Sequence, residues 1–447
     1  MSDVFGRSQL DSAAVSKQTG SSRIGIRIKK RRLELGLTQT DLGEPALASS
    51  YISLIESGQR HPSPEALGYI AERLDIDAEE LLTGRPSGLE VEIELQIQGA
   101  RRQVDKGELV EAEKAVSDAL KQARRHNLTR AEARAEEVLG AIAERISGPD
   151  AALEHFRGAE ELWRGEPAHL RFETEAGIAR CTRQLGDARL AVYTLDSYRR
   201  QLEESNKPDP LALMRTYTAL IYPYFASGLP EKAAEAARQA LRLETRVEEP
   251  EQLACMHLAV ARSLLYEGHH DDALQSLRKA EEIYEAGGWR NRVAKVQLNE
   301  AIVLAKKENF GEARDKLLAA WELLETSPNR LDQALALNEL GHVTRHLEDA
   351  QSALDYLERA KGFLEEGDII EMAFNERELG ICLAPTEPKI AENHLKNAVD
   401  LYRISGATAE LATTFKALGD LYAARGETDL ALDALREGLA AVEERSA

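Results

Sequence analysis

The stretch FKALGDLYAARGETDLA, residues 415–431, holds one complete unit of the pattern that decides how this chain folds. A small residue, Gly419, is followed twelve positions later by a second small residue, Ala431, and Gly426-Glu427 stands between them. A glycine often ends a helix because it tolerates left-handed backbone angles, so the stretch predicts two helices joined by a turn. Small side chains where the helices cross allow their backbones to approach closely.

This unit recurs nine times with a nearly constant period of 38 to 42 residues. The alanines at the repeat position are Ala112, Ala152, Ala191, Ala233, Ala273, Ala313, Ala353, Ala391 and Ala431. A second alanine follows seven residues later in all units except two, which have Tyr198 and Gly438. A small residue stands eleven or twelve positions before the repeat alanine in all units except one, which has Ile221. A register kept over nine units predicts a stack of antiparallel helix pairs, an α-solenoid.

The motif Phe415-x-x-Leu418-Gly419-x-x-Tyr422, with Ala431 after it, resembles the tetratricopeptide repeat family. The resemblance covers residues 90–447 and implies helical hairpins that stack side by side. The period of about 40 residues exceeds the usual family period of about 34, which implies longer helices.

Composition supports a helical protein and argues against other classes. Apolar residues make up 43% of the chain, and aromatic residues only 5%. There is no signal peptide and no apolar run of about 18 residues that could cross a membrane, so we expect a soluble, cytoplasmic protein. The net charge is −20, but residues 86–447 hold 46 Lys/Arg and 65 Asp/Glu, whereas residues 23–85 hold nine and ten. The acidic charge therefore lies in the repeats and does not exclude nucleic-acid binding by the first part.

The sequence contains no convincing catalytic or metal-binding constellation. Cys181, Cys255 and Cys382 lie far apart in apolar helical stretches, which predicts small buried thiols. His342 and His346 have the spacing of a metal pair on a helix, but no third ligand accompanies them. A glycine-rich phosphate loop is missing as well. We predict that the protein has no enzymatic activity, cofactor or metal ion.

Residues 23–85 divide into five short helices at capping and breaking signals. Thr38 and Ser63 are typical N-caps, and Gly36 and Gly58 are typical glycines at helix ends. Apolar residues at helical spacing predict one small core, which suits a domain of roughly 60 residues. The predicted core consists of Ile28, Leu33, Leu37, Leu42, Ile52, Ile55, Leu67, Ile70, Ala71, Leu74 and Leu81.

Three segments of this head resemble the Xre or lambda-repressor type of helix-turn-helix domain: Leu37-Thr38-Gln39-x-x-Leu42, Tyr51-Ile52-Ser53-x-Ile55-Glu56-x-Gly58 and Pro62-x-Pro64-x-x-Leu67. The resemblance implies that the third helix enters the major groove with its amino-terminal residues at the base edges. The residues that it places at DNA are, for the bases, Ser49, Ser50 and Leu54, and, for the phosphates, Gln39, Ser57 and Arg60. None of the three base-facing side chains can form a bidentate bond to a base, so we expect discrimination below roughly 1–3 kcal/mol per base pair.

The basic run of the first helix has two open interpretations. It could contact DNA phosphates, or it could be an ordinary solvated face. The residues concerned are Arg27, Lys29, Lys30 and Arg31. In the resembled family, the arginine at the position of Arg32 pairs with the glutamate at the position of Glu56, so the resemblance implies a structural ion pair there.

In the tetratricopeptide family, four positions of each first helix line a concave surface, which we call the inner groove: six and three residues before the small residue, and one and four after it. In repeats three to nine the groove has two acidic residues, Glu173 and Asp420. Its basic residues are Arg180, Arg183, Arg215, Arg262, Lys295, Arg345, Arg377 and Lys416, and Tyr222 and Asn338 add polar groups. This excess of positive charge predicts a site for an anionic effector, such as a peptide carboxylate or an acidic protein segment. The alternative is that the basic residues pair with acids on neighbouring helices.

These observations predict an all-α protein with a five-helix helix-turn-helix head and an α-solenoid of about nine tetratricopeptide-like hairpins. We predict a flexible tail at 1–22, the DNA-binding head at 23–83, a linker at 84–89 and the repeat domain at 90–447. Gly84, Pro86 and Gly88 would let the head move relative to the repeats.

The whole layout resembles the peptide-pheromone-responsive regulators of Gram-positive bacteria. The resemblance implies a sequence-specific transcription regulator that binds double-stranded DNA, most simply as a homodimer on two half-sites. It also implies that the repeats bind a peptide or protein effector, mediate dimerisation, or both. The alternative is a protein-interaction adaptor whose head has little or no DNA-binding activity. In neither case do we expect a membrane partner.

Overall fold

The computed structural model describes residues 23–327, 329–347 and 349–443. The predicted tail at 1–22 lies outside the described residues. Within the described part of the chain, all regular secondary structure is helical. The predicted all-α fold class is confirmed.

The head consists of five short helices: α1 (residues 23–34), α2 (Gln39–Gly43), α3 (Ser49–Glu56), α4 (Pro64–Arg73) and α5 (Ala78–Thr83). Thr38 and Asp41 form a reciprocal capping box at the start of α2. The side chains of Ser63 and Asp77 accept hydrogen bonds from N–H groups in the first turns of α4 and α5. These caps satisfy donors that the helix starts would otherwise leave without partners, so the boundaries are set by local sequence.

The core of the head differs from the expected set at three positions: Ile24 belongs to it although it was not predicted, Leu37 is only partly buried, and Leu33 is exposed. The expectation that Leu33 is buried is wrong, because this side chain is 59% exposed. Its neighbour Arg32 is buried instead. Consecutive residues on a helix point about 100° apart, so both cannot face the same core. The buried acid opposite α1 determines which of the two turns inward.

That acid is Glu56, and its ion pair with Arg32 connects three helices. Arg32 Nε lies 2.6 Å from Glu56 Oε1, and Arg32 Nη2 donates to Glu56 Oε2 over 2.9 Å. Arg32 Nη1 also donates to the carbonyl oxygen of Leu37 over 2.7 Å, and Gln39 Nε2 donates to Glu56 Oε2 over 2.9 Å. Burial raises the pKa of Glu56, but the bonds from Arg32 and Gln39 outweigh it and hold the pKa below its usual value. The implied structural pair is present and fixes α3 against α1 and α2.

A glycine allows α1 to lie directly on the backbone of α3. A Cβ atom added at Gly25 would stand 2.0 Å from the carbonyl oxygen of Ile55. No side chain other than hydrogen fits at such a distance, so this glycine is required by packing rather than by backbone angles.

The rest of the described chain contains eighteen further α-helices, which follow one another along the sequence as nine consecutive couples. They are α6 (Leu89–Lys106) with α7 (Leu109–Arg125), α8 (Thr129–Ile146) with α9 (Pro149–Leu162), α10 (Phe172–Gln184) with α11 (Ala188–Glu203), α12 (Pro210–Ala226) with α13 (Pro230–Arg242), α14 (Pro250–Tyr266) with α15 (His270–Ala286), α16 (Arg290–Lys306) with α17 (Phe310–Leu324), α18 (Arg330–His346) with α19 (Ala350–Lys361), α20 (Ile369–Leu383) with α21 (Pro388–Ser405), and α22 (Thr408–Ala424) with α23 (Thr428–Glu443). The predicted number of hairpins is confirmed.

The periodic small residues lie where the helices of a pair cross. Eight of the nine repeat alanines, from Ala112 to Ala391, are fully buried at 0% exposure. A Cβ atom added at Gly380 would lie 2.7 Å from Leu395 Cγ and 3.0 Å from the carbonyl oxygen of Ala391. Because a larger side chain would push the helices apart, the period of small residues is the period of the fold.

The internal contacts divide the chain into two compact units. Unit 1 extends to Ile142 and includes Glu161–Trp163, and unit 2 comprises Ala143–Glu160 and the chain from Arg164 onward. None of the helices in the described part of the chain combines the length and the apolar character needed to span a lipid bilayer.

We expect Gly25→Ala to unfold the head locally, because the new methyl group would overlap the carbonyl oxygen of Ile55. The cost should be about 3 kcal/mol or more. The matched control is Gly68→Ala in α4, where nothing lies within 4 Å of the added Cβ and the change should stabilise the helix by roughly 0.5–1 kcal/mol. Hydrogen exchange of the α1 and α3 amides in the full chain measures both effects. Equal protection in the two variants would contradict the close approach.

We expect Glu56→Gln to destabilise the head by about 3 kcal/mol at neutral pH, because it removes the charge that holds Arg32. The folded-state pKa of Glu56 is depressed, so the stabilisation that the carboxylate provides is complete above its unfolded pKa and is lost as the pH falls through the folded pKa. The difference in the free energy of unfolding between wild type and variant should therefore be constant above about pH 5 and should shrink below about pH 4.5. Hydrogen exchange corrected for its intrinsic rate measures this difference, with exposed Glu72→Gln as control. A difference that stays constant down to pH 3 would argue against the ion pair.

Candidate nucleic-acid interface and inner groove

Helix α3 presents a polar face to solvent and an apolar face to the head core. Ile52, Ile55 and Glu56 are buried, and Ser49 and Ser50 are exposed. Ser53 and Ser57 are exposed as well, and Leu54 is 37% exposed. The N-cap of the helix is Ala48, which offers no side-chain acceptor to the first turn. The exposed face of α3 is therefore short, uncharged and unobstructed by other side chains of the head.

Three of the residues predicted at phosphates have partners inside the head. Gln39 donates one amide N–H to Glu56 over 2.9 Å. The hydroxyl of Ser57 donates to the carbonyl oxygen of Leu54 over 3.1 Å. The guanidinium carbon of Arg60 lies 4.9 Å from the ring centre of Tyr51. Each contact orients a side chain beside α3 while leaving part of it accessible.

The structure separates the basic run of α1 into two kinds of residue. Arg27 donates from Nε to the carbonyl oxygen of Leu81 over 2.8 Å and also bonds the carbonyl oxygen of Leu82, and burial lowers its pKa. Arg31 donates to the carbonyl oxygen of Leu74 over 3.3 Å. These two arginines thus bond carbonyls near the ends of α4 and α5, positions that local sequence patterns did not reveal.

The two lysines of the run are different. Lys30 lies 3.9 Å from Glu34 in an exposed ion pair, which contributes little. Lys29 is exposed, and within the described residues it forms no ion pair. Of the basic run, Lys29 and Lys30 are the residues most available to a phosphate.

In unit 2, most basic residues of the inner groove are paired with acids. Arg180 Nη2 lies 3.1 Å from Glu144 Oε2, and Arg215 pairs with Glu173. Lys295 Nζ lies 3.0 Å from Asp332 Oδ2. In these pairs the acid belongs to the first helix of an adjacent repeat, which is the alternative that the sequence left open.

Glu378 on α20 forms ion pairs with two further arginines. Arg345 Nη2 lies 3.0 Å from Glu378 Oε2, and Arg377 Nε lies 3.3 Å from Glu378 Oε1. His342 Nδ1 lies 3.0 Å from the same carboxylate. Burial alone would raise the pKa of Glu378, but the hydrogen bond from His342 and the charges of the two arginines outweigh it and hold the pKa at about 2. The carboxylate is therefore ionised at every physiological pH.

The polar residues of the groove also differ in their availability. Asn338 is buried, and its side chain donates to the carbonyl oxygen of Glu371 over 3.3 Å and accepts from Asn375 over 2.7 Å. Tyr222 is 46% exposed. Lys416 is exposed, and within the described residues it forms no ion pair. The groove thus contains internal polar networks as well as open positions.

Two of the three cysteines and the paired histidines have roles in packing, whereas Cys255 is only partly buried, so the prediction of a buried thiol is wrong there. Burial raises the pKa of Cys181 and of Cys382 to about 11, so both thiols stay protonated. The ring of His346 stacks on Phe310 with the ring centres 4.3 Å apart. Among the described residues, no group of three His, Cys, Asp or Glu side chains is arranged to hold a metal ion.

Sequence reasoning found Glu173 but missed the other three acids that pair with basic residues of the groove. Glu144 occupies the position four residues after Gly140, so extending the groove rule to the second repeat would have found it. Asp332 and Glu378 lie outside the four positions of that rule. Only the register between neighbouring repeats brings them to Lys295 and Arg345.

Comparisons with known proteins give separate results for the head and for the repeats. Residues 28–81 match the helix-turn-helix family. No curated protein matches the sequence as a whole or in part. Many solved structures match the fold, and three of them illustrate the similarity.

The first is a Rap protein complexed with competence and sporulation factor, which is 14% identical, with 79% of this chain and 98% of that chain covered and a TM-score of 0.58. The second is the apo form of the quorum sensor NprR from B. thuringiensis, which is 14% identical, with 79% and 99% covered and a TM-score of 0.54. The third is aspartyl phosphate phosphatase F from Bacillus subtilis, which is 15% identical, with 78% and 93% covered and a TM-score of 0.52. The first part of the chain is therefore a helix-turn-helix domain, and the repeats have the helical-repeat fold of these three proteins.

Proposed function

We propose that this protein is a cytoplasmic, sequence-specific DNA-binding transcription regulator whose repeat domain binds a peptide or protein effector, mediates dimerisation, or both. The observation that carries the proposal is the exposed, unobstructed face of α3 within a domain that matches the helix-turn-helix family. The DNA-binding head is 23–83, the linker 84–89 and the repeat domain 90–447.

The geometry of the head supports α3 as the element that enters the major groove. Its amino-terminal residues Ser49 and Ser50 are exposed, and the Arg32–Glu56 pair holds the helix from the inside. Base contacts come from Ser49, Ser50 and Leu54, and phosphate contacts come from Gln39, Ser57, Arg60, Lys29 and Lys30. Because serine hydroxyls bond several bases, sequence preference at each half-site is modest. A homodimer that binds two half-sites compensates for this.

The effector role rests on the fold of the repeats. One of the similar structures is named a quorum sensor, and another contains competence and sporulation factor. We propose that the inner groove of this chain has a comparable role. An effector can alter DNA binding only if it favours one arrangement of the heads over another. We propose that the linker supplies such freedom, because Gly84 and Gly88, which have φ of 74° and 76° here, can adopt other backbone angles more readily than other residues.

We expect Lys29→Ala and Lys30→Ala to weaken binding to every duplex by a similar, several-fold factor. The logarithm of the affinity falls linearly with the logarithm of the salt concentration, and each lysine removed should reduce the steepness of this fall by about 1. The duplex is selected from a random pool with the full-length chain, and fluorescence anisotropy is measured over a range of salt concentrations. The matched control, Lys389→Ala, removes the same charge from an exposed position in the repeat domain and should leave the slope unchanged.

Replacing Ser49 and Ser50 together by alanine should act differently from the lysine variants. Affinity for the selected duplex should fall by up to about tenfold, while affinity for unrelated duplexes stays the same, because only base contacts are lost. If the wild-type chain shows no preference for any duplex even at low ionic strength, the regulator proposal fails. The alternative of a protein-interaction adaptor would then stand.

A further inference from the structure

A small apolar cavity opens in the inner groove between the first helices α10, α12 and α14. Its volume is about 290 Å³, at the lower end of the range for ligand sites. Its walls are mainly apolar and include Phe172, Ala176, Leu195, Ile221 and Ala259. A cavity of this size suits one apolar side chain rather than a whole peptide.

Two unneutralised arginines stand at the rim of the cavity. The guanidinium carbons of Arg183 and Arg262 lie 4.5 Å and 5.9 Å from the ring centre of Tyr222. Within the described residues neither arginine forms an ion pair, whereas Arg180 on the same rim is paired with Glu144. In a chain of net charge −20, two cations held near one exposed ring without an acid point to an anionic ligand.

A proline in the cavity wall interrupts the regular hydrogen bonding of α12. Pro223 lies inside α12 and has no N–H, so it cannot donate to the carbonyl oxygen of Ala219 four residues earlier. Both residues line the cavity. A carbonyl oxygen released in this way can accept a hydrogen bond from an amide of the ligand.

We propose that this cavity binds the last residue of a peptide that ends in an apolar side chain. The terminal carboxylate lies between Arg183 and Arg262, the apolar side chain fills the cavity, and the amide N–H of the same residue donates to the carbonyl oxygen of Ala219. The three groups are those that an apolar C-terminal residue carries together. The inference rests on the proposed function in one respect, which is that the peptide acts as the effector.

The test uses the full-length chain and the acetylated peptide Ala-Ala-Ala-Leu with a free terminal carboxylate. Binding is measured by calorimetry and by NMR, next to the same peptide with a terminal amide. We expect the amide to bind at least about tenfold more weakly, because it cannot form charge-assisted bonds to both arginines. Equal affinity of the two peptides would overturn the proposal.

Variants locate the site. The double change Arg183→Gln and Arg262→Gln should remove the preference for the free carboxylate. Ala259→Leu should weaken the binding of both peptides, because the larger side chain fills the cavity. The matched control is Arg278→Gln on α15, an exposed arginine outside the groove, which should leave both affinities unchanged. Thermal unfolding of each variant shows whether it folds. A folded double variant that keeps the preference would place the peptide elsewhere.

DNA binding is measured in parallel, so that the two proposals can fail separately. If the chain prefers its selected duplex but neither peptide binds, the site proposal is overturned and the DNA-binding proposal stands. If the peptide binds with the expected preference but leaves the affinity for DNA unchanged, the site stands and the effector role is overturned.

Discussion

Two helices can lie backbone against backbone only where no bulky side chain separates them, and this constraint governs both parts of the chain. In the head, Gly25 lies against the carbonyl oxygen of Ile55, so α1 can lie directly on α3. In the repeats, alanines and glycines take the same role at each crossing, as Gly380 does against Ala391 and Leu395. Because the two helices of every pair approach each other most closely at the same position, each pair presents a similar surface to the next one. The units can therefore stack as repeats. The positions of the α3 face and of the inner groove both follow from these contacts.

Both parts of the chain contain basic side chains that form ion pairs with acids. Arg32 and Glu56 lie inside the head, and the bond from Gln39 extends the pair to α2. The orientation of α3 therefore depends on side chains from two other helices. In the inner groove, acids pair with five of the eight basic residues. Arg183, Arg262 and Lys416 have no such partner among the described residues, and of these three Arg183 and Arg262 lie together beside Tyr222.

Features with local causes could be predicted from the sequence. The caps Thr38 and Ser63 act within a few residues of themselves, and they set the helix boundaries where they were expected. The repeat alanines are recognisable because their reason for being small recurs in every unit. The exposed residue in the predicted core, Leu33, was chosen wrongly because two adjacent residues competed for one inward direction. Apolarity favoured the leucine, but the buried partner of Arg32 lies 24 residues away in the chain.

The sequence by itself determined that the described part of the chain is all-helical and that a five-helix head comes before nine hairpins. These properties follow from spacing and capping, which act over a few residues or repeat exactly along the chain. Only the tertiary structure decided which cations are free, because an acid neutralises an arginine only if the register of two packed helices brings them together. The pairing of Arg180 with Glu144, the anchoring of Arg27 on the end of α5, and the cavity beside Tyr222 depend on such distances between helices. A linear pattern contains the residues of these sites but not the distances between them.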